Sequence, residues 1–176
     1  MIRAVLLALL LAGPGAAQVP EPDGYRGEPY RAPVPATLQG AAVIDGAEAI
    51  GLHAAGVPFL DVLPRKTRPE GLPNGTVWRE PAHDTIPGAL WLWDTGYEAL
   101  APAEQARLDR GLERATGGDL AAPVVIFCRK DCWMSWNAAR RAVAAGYSGV
   151  RWFPGGLEDW QAAGGAPLVR AVPADP

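Results

Sequence analysis

The fold is decided by the stretch PVVIFCRKDCWMSWNAARRAVAAGY, which occupies residues 123–147. Its apolar run 124–127 is typical of a strand that is buried on both faces of a parallel sheet. Residues 134–145 carry alanine and valine at helical spacing, and Gly146 is a typical helix stop. A buried strand that leads so quickly into a helix predicts one unit of an α/β sheet.

The rest of the chain continues this alternation of strands and helices. Asp45 is expected to cap the helix that follows it. Further strands are predicted at 43–44, 57–62, 86–93 and 150–153, and further helices at 47–55, 102–116 and 157–163. The order predicts an α/β domain with a central, mostly parallel sheet flanked by helices.

Length and charge exclude several classes of protein. The chain has 176 residues, which suits a single domain with extensions. Its 16 lysines and arginines against 19 aspartates and glutamates give a net charge of 16 − 19 = −3. We therefore expect no nucleic-acid partner, because such proteins usually carry a strong basic field.

The ends of the chain are predicted to lie outside the domain. Residues 1–17 have a short basic start, an apolar run and a small-residue exit, which predicts a signal peptide cleaved near Ala17. A retained membrane anchor is the alternative, although the run is short for a bilayer span. Residues 18–41 form a Pro/Gly-rich arm whose tyrosines favour wrapping over the domain, and residues 168–176 form a tail.

The two cysteines are the chief candidates for chemistry. Cys128 directly follows the buried strand, and the predicted helix begins about six residues later, so its dipole would stabilise a thiolate or persulfide at Cys128. Cys132 lies in the same loop. Arg129 and Lys130 should favour a thiolate, whereas Asp131 opposes it. A reactive pair, a structural disulfide and a metal or cofactor contact all remain open, although two thiols alone make an incomplete metal site.

Other side chains are weaker candidates. Asp61 and Arg65 follow a strand end, where Arg65 could bind an anion or form a plain loop salt bridge. His83 could lie near the cysteine loop, but we expect it to be a surface residue of a polar segment. We expect His53 to be structural or exposed. Trp136, with Trp133, could contact a substrate, a quinone or a partner, but core or arm packing is the simpler interpretation. These candidates are Asp61, Arg65, His53, His83, Trp133 and Trp136.

Several motifs in order resemble the rhodanese-like domain. They are Phe59-Leu60-Asp61-Val62, Ile86-Pro87-Gly88-Ala89, the strand that ends at Cys128, Ala145-Gly146-Tyr147 and the run from Gly155 to Trp160. The resemblance covers residues 42–167 and implies that Cys128 is the catalytic cysteine. Backbone amides from Arg129, Lys130, Asp131 and Trp133 would then form an anion cradle around its sulfur.

The cysteine loop departs from the pattern of the sulfurtransferases. That pattern is usually Cys-x-x-Gly-x-Arg-Ser, whereas Asp131 stands in the place of the glycine and Trp133 in the place of the arginine. Rhodanese-like phosphatases need an arginine six residues after the cysteine, and Met134 occupies that position. A phosphatase is therefore not expected.

A narrower resemblance covers nearly the whole mature chain. It rests on Tyr25-Arg26, the runs 30–35, 71–73 and 76–79, and the run 132–139, which begins Cys-Trp-Met-Ser-Trp. These segments resemble the exported PQQ-dependent catabolism-associated CXXCW motif proteins, although three residues separate the cysteines here. The resemblance implies a periplasmic location and a quinoprotein dehydrogenase partner. PQQ would enter only through that partner, since no cofactor of the chain's own is evident.

Two function classes follow from these features. In the first, an exported sulfurtransferase or thiol–disulfide oxidoreductase uses Cys128 as nucleophile and Cys132 as resolving thiol, toward a small-molecule or protein thiol partner. In the second, the domain is a non-catalytic accessory module of the quinoprotein system. The paired cysteines favour the first class, and the altered loop favours the second.

Overall fold

The structure is a computed structural model that describes residues 19–174. The predicted signal peptide lies outside these residues. None of the helices within residues 19–174 combines the length and the apolar character needed to span a membrane.

The secondary-structure elements, in chain order, are β1 (Ala42–Val43), α1 (Gly46–Ala54), β2 (Phe59–Asp61), β3 (Asp84–Thr85), β4 (Leu90–Trp91), α2 (Pro102–Thr116), β5 (Val124–Phe127), α3 (Trp133–Ala144), β6 (Val150–Phe153), α4 (Gly156–Ala162) and β7 (Val169–Arg170).

The central sheet has five strands in the order β1-β6-β5-β2-β4, and every pair is parallel. Strand β5 lies in the middle, with Phe127 opposite both Asp61 of β2 and Phe153 of β6. This confirms the predicted α/β fold with a mostly parallel sheet. Because the strands are parallel, the residues that follow β2 and β5 meet at the same edge of the sheet.

Local signals in the sequence account for the helices. The Asp45 side chain accepts a 2.9 Å hydrogen bond from the Glu48 amide, and the Glu48 carboxylate accepts one from the Asp45 amide. This capping box confirms Asp45 as the N-cap of α1. Helix α2 begins at Pro102, which lacks the amide hydrogen that a first-turn position would leave unpaired, and it ends before Gly117.

The sheet separates two hydrophobic cores. Val124 and Ile126 of β5 pack with α2 and α3, whereas Val125 and Phe127 pack with α1 and α4. All four side chains are fully buried, as the continuous apolar run predicted. We call the two sides the α2/α3 face and the α1/α4 face. Burial of each such side chain contributes about 2 kcal/mol to folding.

Two short pairings escaped the sequence analysis. The predicted strand at 86–93 is reduced to β4, and the segment before it contributes β3, which pairs antiparallel with β7 of the tail. Two-residue strands are too short to show periodicity. The tail continues along the edge of the sheet, because Ala174 donates a 3.0 Å hydrogen bond to the carbonyl of Trp91.

Candidate functional site

The two cysteines lie together at the C-terminal edge of the sheet. Cys128 and Cys132 form a disulfide with their Cα atoms 6.4 Å apart. Cys128 belongs to the α2/α3 core, and Cys132 is the N-cap residue of α3. Their exposed fractions are only 0% and 3%, so the disulfide is covered. Within residues 19–174, no group of three or more His, Cys, Asp or Glu residues could hold a metal ion.

The cover over the cysteine loop (residues 128–132) is the N-terminal arm. The Tyr30 carbonyl accepts a 2.9 Å hydrogen bond from the Trp133 amide, and the Ala32 amide donates one of 3.1 Å to the Asp131 carbonyl. Arg31 lies between them and forms an antiparallel bridge with Cys132. The arm thus wraps over the domain, as its aromatic residues predicted, and it takes up backbone groups of the loop itself.

Helix α3 fastens this arm with polar side chains. The Asn137 amide group is fully buried and exchanges 2.9 Å hydrogen bonds with both the amide and the carbonyl of Arg26. The Arg140 guanidinium donates to the carbonyls of Pro22 and Asp23. Neither Asn137 nor Arg140 was among the predicted site residues. One feature of the sequence could have indicated Asn137. Asparagine has a low helix propensity, so an asparagine on the core side of a predicted helix suggests that its amide group has a hydrogen-bond partner.

Two amides of the predicted anion cradle already have partners within the chain. The Lys130 amide donates a 2.8 Å hydrogen bond to the Glu158 carboxylate, and Arg129 Nε donates to the other oxygen of the same carboxylate at 2.8 Å. The Trp133 amide is engaged by the arm, and Asp131 has a left-handed φ of 53°. Two of the four amides of the predicted cradle, those of Lys130 and Trp133, are therefore already satisfied by groups of the chain.

Glu158 acts as an internal anion at this loop. Burial raises the pKa of its carboxyl group, but hydrogen bonds from the Lys130 amide and the Arg129 guanidinium outweigh burial and hold that pKa below its usual value. The carboxylate therefore stays ionised to lower pH than that of an ordinary glutamate. An incoming anion would have to displace it to reach these donors.

The tryptophans beside the site belong to the core. Trp136 is fully buried and Trp133 is 3% exposed, and their rings meet edge to face with centroids 5.5 Å apart. The hypothesis that Trp136 contacts a substrate, a quinone or a partner is wrong for this conformation. The reason is the arm, whose Thr37 carbonyl accepts a hydrogen bond from the indole nitrogen of Trp136. Packing was the correct alternative.

Arg65 forms the loop salt bridge and does not offer a free anion site. Its guanidinium binds both carboxylate oxygens of Glu80, at 2.7 and 2.8 Å. The hydrogen bond to Arg65 lowers the pKa of the Glu80 carboxyl group, although partial desolvation opposes that shift. Of the two alternatives that the sequence left open for Arg65, the ion pair is the one present in the structure.

Asp61 is fully buried, so the hypothesis of a direct substrate contact at Asp61 is wrong. One of its oxygens lies 2.6 Å from Nε2 of His83, whose side chain is only 10% exposed. His83 is therefore only partly exposed, and it lines the same cavity as Arg129 of the cysteine loop. Asp61 and His83 are 22 positions apart, and only the fold brings them together.

His53 is structural, as expected, since its Nε2 lies 2.8 Å from the carbonyl oxygen of Pro87.

Comparison with known proteins defines the class. The profile of the Rhodanese-like domain family matches residues 51–163, which are more than half of the chain. The protein therefore belongs to the rhodanese-like domain family. Membership indicates a sulfurtransferase or another thiol-related function.

Other comparisons add little. The search of curated proteins found no match. Among solved structures, the chain is similar to an uncharacterized protein from Saccharomyces cerevisiae at 21% identity, over 70% of this chain and 93% of that one, with a TM-score of 0.38.

Proposed function

We propose that the protein is an exported thiol–disulfide redox protein in which Cys128 and Cys132 alternate between a disulfide and a dithiol. The observation that carries this proposal is the bond between the two sulfurs. It favours redox exchange over sulfur transfer, because a sulfurtransferase stores its sulfur on a free cysteine. The occupied amides of Lys130 and Trp133 point in the same direction, since a persulfide there would lack its cradle.

The position of each cysteine supports a different role for each sulfur in disulfide exchange. Cys132 caps the N-terminus of α3, where the helix dipole stabilises a thiolate and makes this sulfur the better leaving group. A thiolate of a partner dithiol attacks the sulfur of Cys128, forms a mixed disulfide and expels Cys132 as the thiolate, which then takes up a proton. The second thiol of the partner attacks the mixed disulfide and releases Cys128. The partner is oxidised to its disulfide, and the protein is reduced by two electrons.

The reverse direction uses the same residues. Cys128 of the reduced protein attacks a disulfide of the partner as the nucleophile, and Cys132 resolves the mixed disulfide. In both directions the sulfurs must become accessible, because they are 0% and 3% exposed beneath the arm. Access requires residues 30–32 to leave the cysteine loop, which breaks backbone hydrogen bonds at Trp133 and Asp131.

We further propose that the protein works in the periplasm beside a quinoprotein alcohol dehydrogenase system. Support comes from the leader-like residues 1–17 and from the resemblance of the arm and the Cys132–Ala139 run to the CXXCW motif proteins. PQQ is then a cofactor of the partner. N-terminal sequencing of the exported protein checks the first step, with Gln18 expected as the first residue and Met1 as the contrary result.

A non-catalytic accessory module is the second candidate. It is favoured by the complete burial of Cys128 and by the fastening of the arm at Arg26, Pro22 and Asp23. In that case the disulfide holds the loop in shape, and the fold itself is the binding surface for the partner.

Trapping the mixed disulfide separates these functions. Cys132→Ser removes the resolving thiol, so its free Cys128 should attack the disulfide of an oxidised model protein, expel one sulfur of that disulfide as a thiolate and accumulate as a mixed disulfide, detected by mass spectrometry. Cys128→Ser is the matched control and should accumulate little. Folded wild-type protein should be reduced by dithiothreitol and reoxidised by oxidised glutathione.

The contrary outcomes are distinct. Reduction that occurs only in denaturant would overturn the redox proposal in favour of the accessory module. Transfer of sulfur from thiosulfate to cyanide by the Cys132→Ser variant, with no mixed disulfide, would overturn it in favour of a sulfurtransferase.

A further inference from the structure

A cavity of about 350 Å³ opens on the α1/α4 face, the side of the sheet opposite the disulfide. Side chains alternate along β5 and into the loop, so Cys128 joins the α2/α3 core while Arg129 lines the cavity. The other walls come from His83, Trp91, Leu157 and Leu168. We call this space the His83 cavity. It is separate from the cysteine pair, and the redox proposal does not use it.

The floor of the cavity is an oriented histidine. The buried Asp61 carboxylate accepts hydrogen bonds from the Thr85 hydroxyl at 2.6 Å and from the Leu63 amide at 2.9 Å, in addition to its 2.6 Å contact with His83 Nε2. The His83 ring also lies against Trp91, with centroids 4.7 Å apart. These contacts fix the orientation of the ring and leave Nε2 directed at the Asp61 carboxylate.

The remaining ring nitrogen is available to a ligand. Within residues 19–174, nothing forms a hydrogen bond with Nδ1 of His83, and the side chain keeps 10% of its surface exposed at the cavity wall. A buried carboxylate that holds a partly open histidine adds little to stability compared with apolar packing. Such a pair in a cavity is a typical feature of a functional site.

The charges around the cavity leave one unpaired cation. Arg129 is paired with Glu158 at 2.8 Å, and Asp84 is paired with Arg170 at 3.0 Å. Lys66 also lines the cavity, and no carboxylate of residues 19–174 lies within ion-pair distance of it. Together, Lys66 and His83 favour an anionic group on the ligand, and a cationic ligand is disfavoured.

We propose that the His83 cavity binds a small organic carboxylate. The carboxylate lies between the Lys66 ammonium and the Nδ1 hydrogen of protonated His83, and the apolar part of the ligand packs against Trp91, Leu157 and Leu168. The volume and the mixed walls suit a ligand of this class, which has one charged end and one apolar end. An inorganic anion could use the two cations but not the apolar wall.

This arrangement couples binding to proton uptake. Nδ1 can donate to a carboxylate only when His83 carries both ring hydrogens, so binding favours the imidazolium form. The charged groups that face His83 are Asp61 from β2, Lys66, Asp84 of β3, Arg129 of the cysteine loop and Glu158 of α4. The Asp61 carboxylate contacts the ring and stabilises its protonated form. Arg129 and Glu158 neutralise each other as an ion pair.

Calorimetric titration of the oxidised, full-length mature protein with benzoate tests the proposal. Benzoate should bind, and its affinity should be higher at pH 6 than at pH 8, because the proposed hydrogen bond from Nδ1 requires a proton that is bound together with the ligand. Benzyl alcohol, which has the same ring but no charge, should bind at least about tenfold more weakly at pH 6. Sulfate should also bind more weakly, since it gains nothing from the apolar wall.

Variants assign the effect to residues. His83→Gln should weaken binding by about tenfold at pH 6 and remove the pH dependence. Lys66→Met should weaken it by about two- to fivefold at both pH values and keep the pH dependence. Arg79→Gln is the control, because Arg79 is an exposed cation of the same irregular segment that does not line the cavity. Circular dichroism checks that each variant is folded.

Three results would overturn the proposal. They are the absence of benzoate binding at millimolar concentrations, equal affinity for benzoate and benzyl alcohol, and an unchanged pH dependence in folded His83→Gln. The double variant Cys128→Ser, Cys132→Ser should bind benzoate as the wild type does. Benzoate binding at the His83 cavity is therefore independent of the cysteines, so a negative result for redox activity does not affect the carboxylate-binding proposal, and a negative result for benzoate does not affect the redox proposal.

Discussion

Cys128 and Arg129 are neighbours in the chain but lie on opposite faces of the sheet. Cys128 is buried in the α2/α3 core beneath the arm, whereas Arg129 lines the His83 cavity and binds Glu158 at 2.8 Å. One short loop therefore contributes to two separate sites. The consequences of this arrangement can be measured one at a time.

Reduction of the disulfide should lower stability modestly. The bond closes a loop of only five residues, so the chain-entropy relation gives about 2 kcal/mol in the free energy of unfolding. Urea unfolding of oxidised and reduced protein measures the difference. The double variant Cys128→Ala, Cys132→Ala is the control and should not respond to dithiothreitol. Equal stability of the oxidised and reduced wild type would contradict the prediction.

Loosening the arm should expose the disulfide. Arg140→Gln removes two hydrogen bonds to the Pro22 and Asp23 carbonyls and the contact of the guanidinium with the Trp136 ring, whose centroid is 5.1 Å away. We expect reduction by dithiothreitol to become about five- to thirtyfold faster, because each lost hydrogen bond costs about 1 kcal/mol of arm closure. Arg110→Gln on the exposed side of α2 serves as the control. An unchanged rate in Arg140→Gln would argue against the arm as the barrier to access.

Gly156→Ala should disrupt the junction between α4 and the cysteine loop. Gly156 has a φ of 52°, and an added Cβ would lie 2.5 Å from the Cys128 carbonyl oxygen. We expect a loss of about 3 kcal/mol or more, from backbone strain and overpacking together. Gly164→Ala is a matched control, because Gly164 has a φ of 83° but open space around it, so its loss should be near 1 kcal/mol. Urea denaturation compares them, and equal losses would contradict the close contact.

Asp94→Asn should stabilise the protein increasingly as pH rises through the acidic range. Burial raises the pKa of the Asp94 carboxyl group, and hydrogen bonds from the Arg65 amide and the Tyr97 hydroxyl offset this only in part. A raised pKa means that folding favours the protonated form, so wild-type stability falls as Asp94 ionises above its unfolded pKa of about 4. Asparagine cannot ionise, and it tolerates the left-handed φ of 63°.

The measurement for Asp94 is the free energy of unfolding of both proteins from pH 3 to pH 7. The stability of Asp94→Asn relative to wild type should increase from pH 3 to neutral pH. A difference that is constant over this range, or one of opposite slope, would show that the buried carboxylate is better compensated than its surroundings indicate.

Much of the fold could be predicted because its signals are local. The strand 124–127, the helix 102–116 and the strand 150–153 have the predicted bounds. Their periodicity and caps act over a few residues, so one sequence contains the whole signal. The β3–β7 pair could not be predicted, since it joins two-residue strands that are distant in the chain.

In the candidate site, too, the features with local sequence signals could be predicted, and those that depend on distant segments could not. Cys128 and Cys132 could be identified because the loop that contains them joins a recognisable strand to a recognisable helix. Packing of Trp136 and a salt bridge of Arg65 were among the predicted alternatives, but their partners, the arm and Glu80, could not be predicted, and neither could the pairing of His83 with Asp61. Each depends on a segment that returns to the site from elsewhere in the chain.

The sequence by itself determined the α/β fold of this rhodanese-like protein, the place of its cysteines after β5 and the absence of the usual cradle residues at Asp131 and Trp133. Only the tertiary structure decided that the arm covers the disulfide and that His83 is held by a buried carboxylate. The physical reason is that side-chain alternation and helix capping are local, whereas burial and hydrogen-bond partners depend on which distant segments pack together.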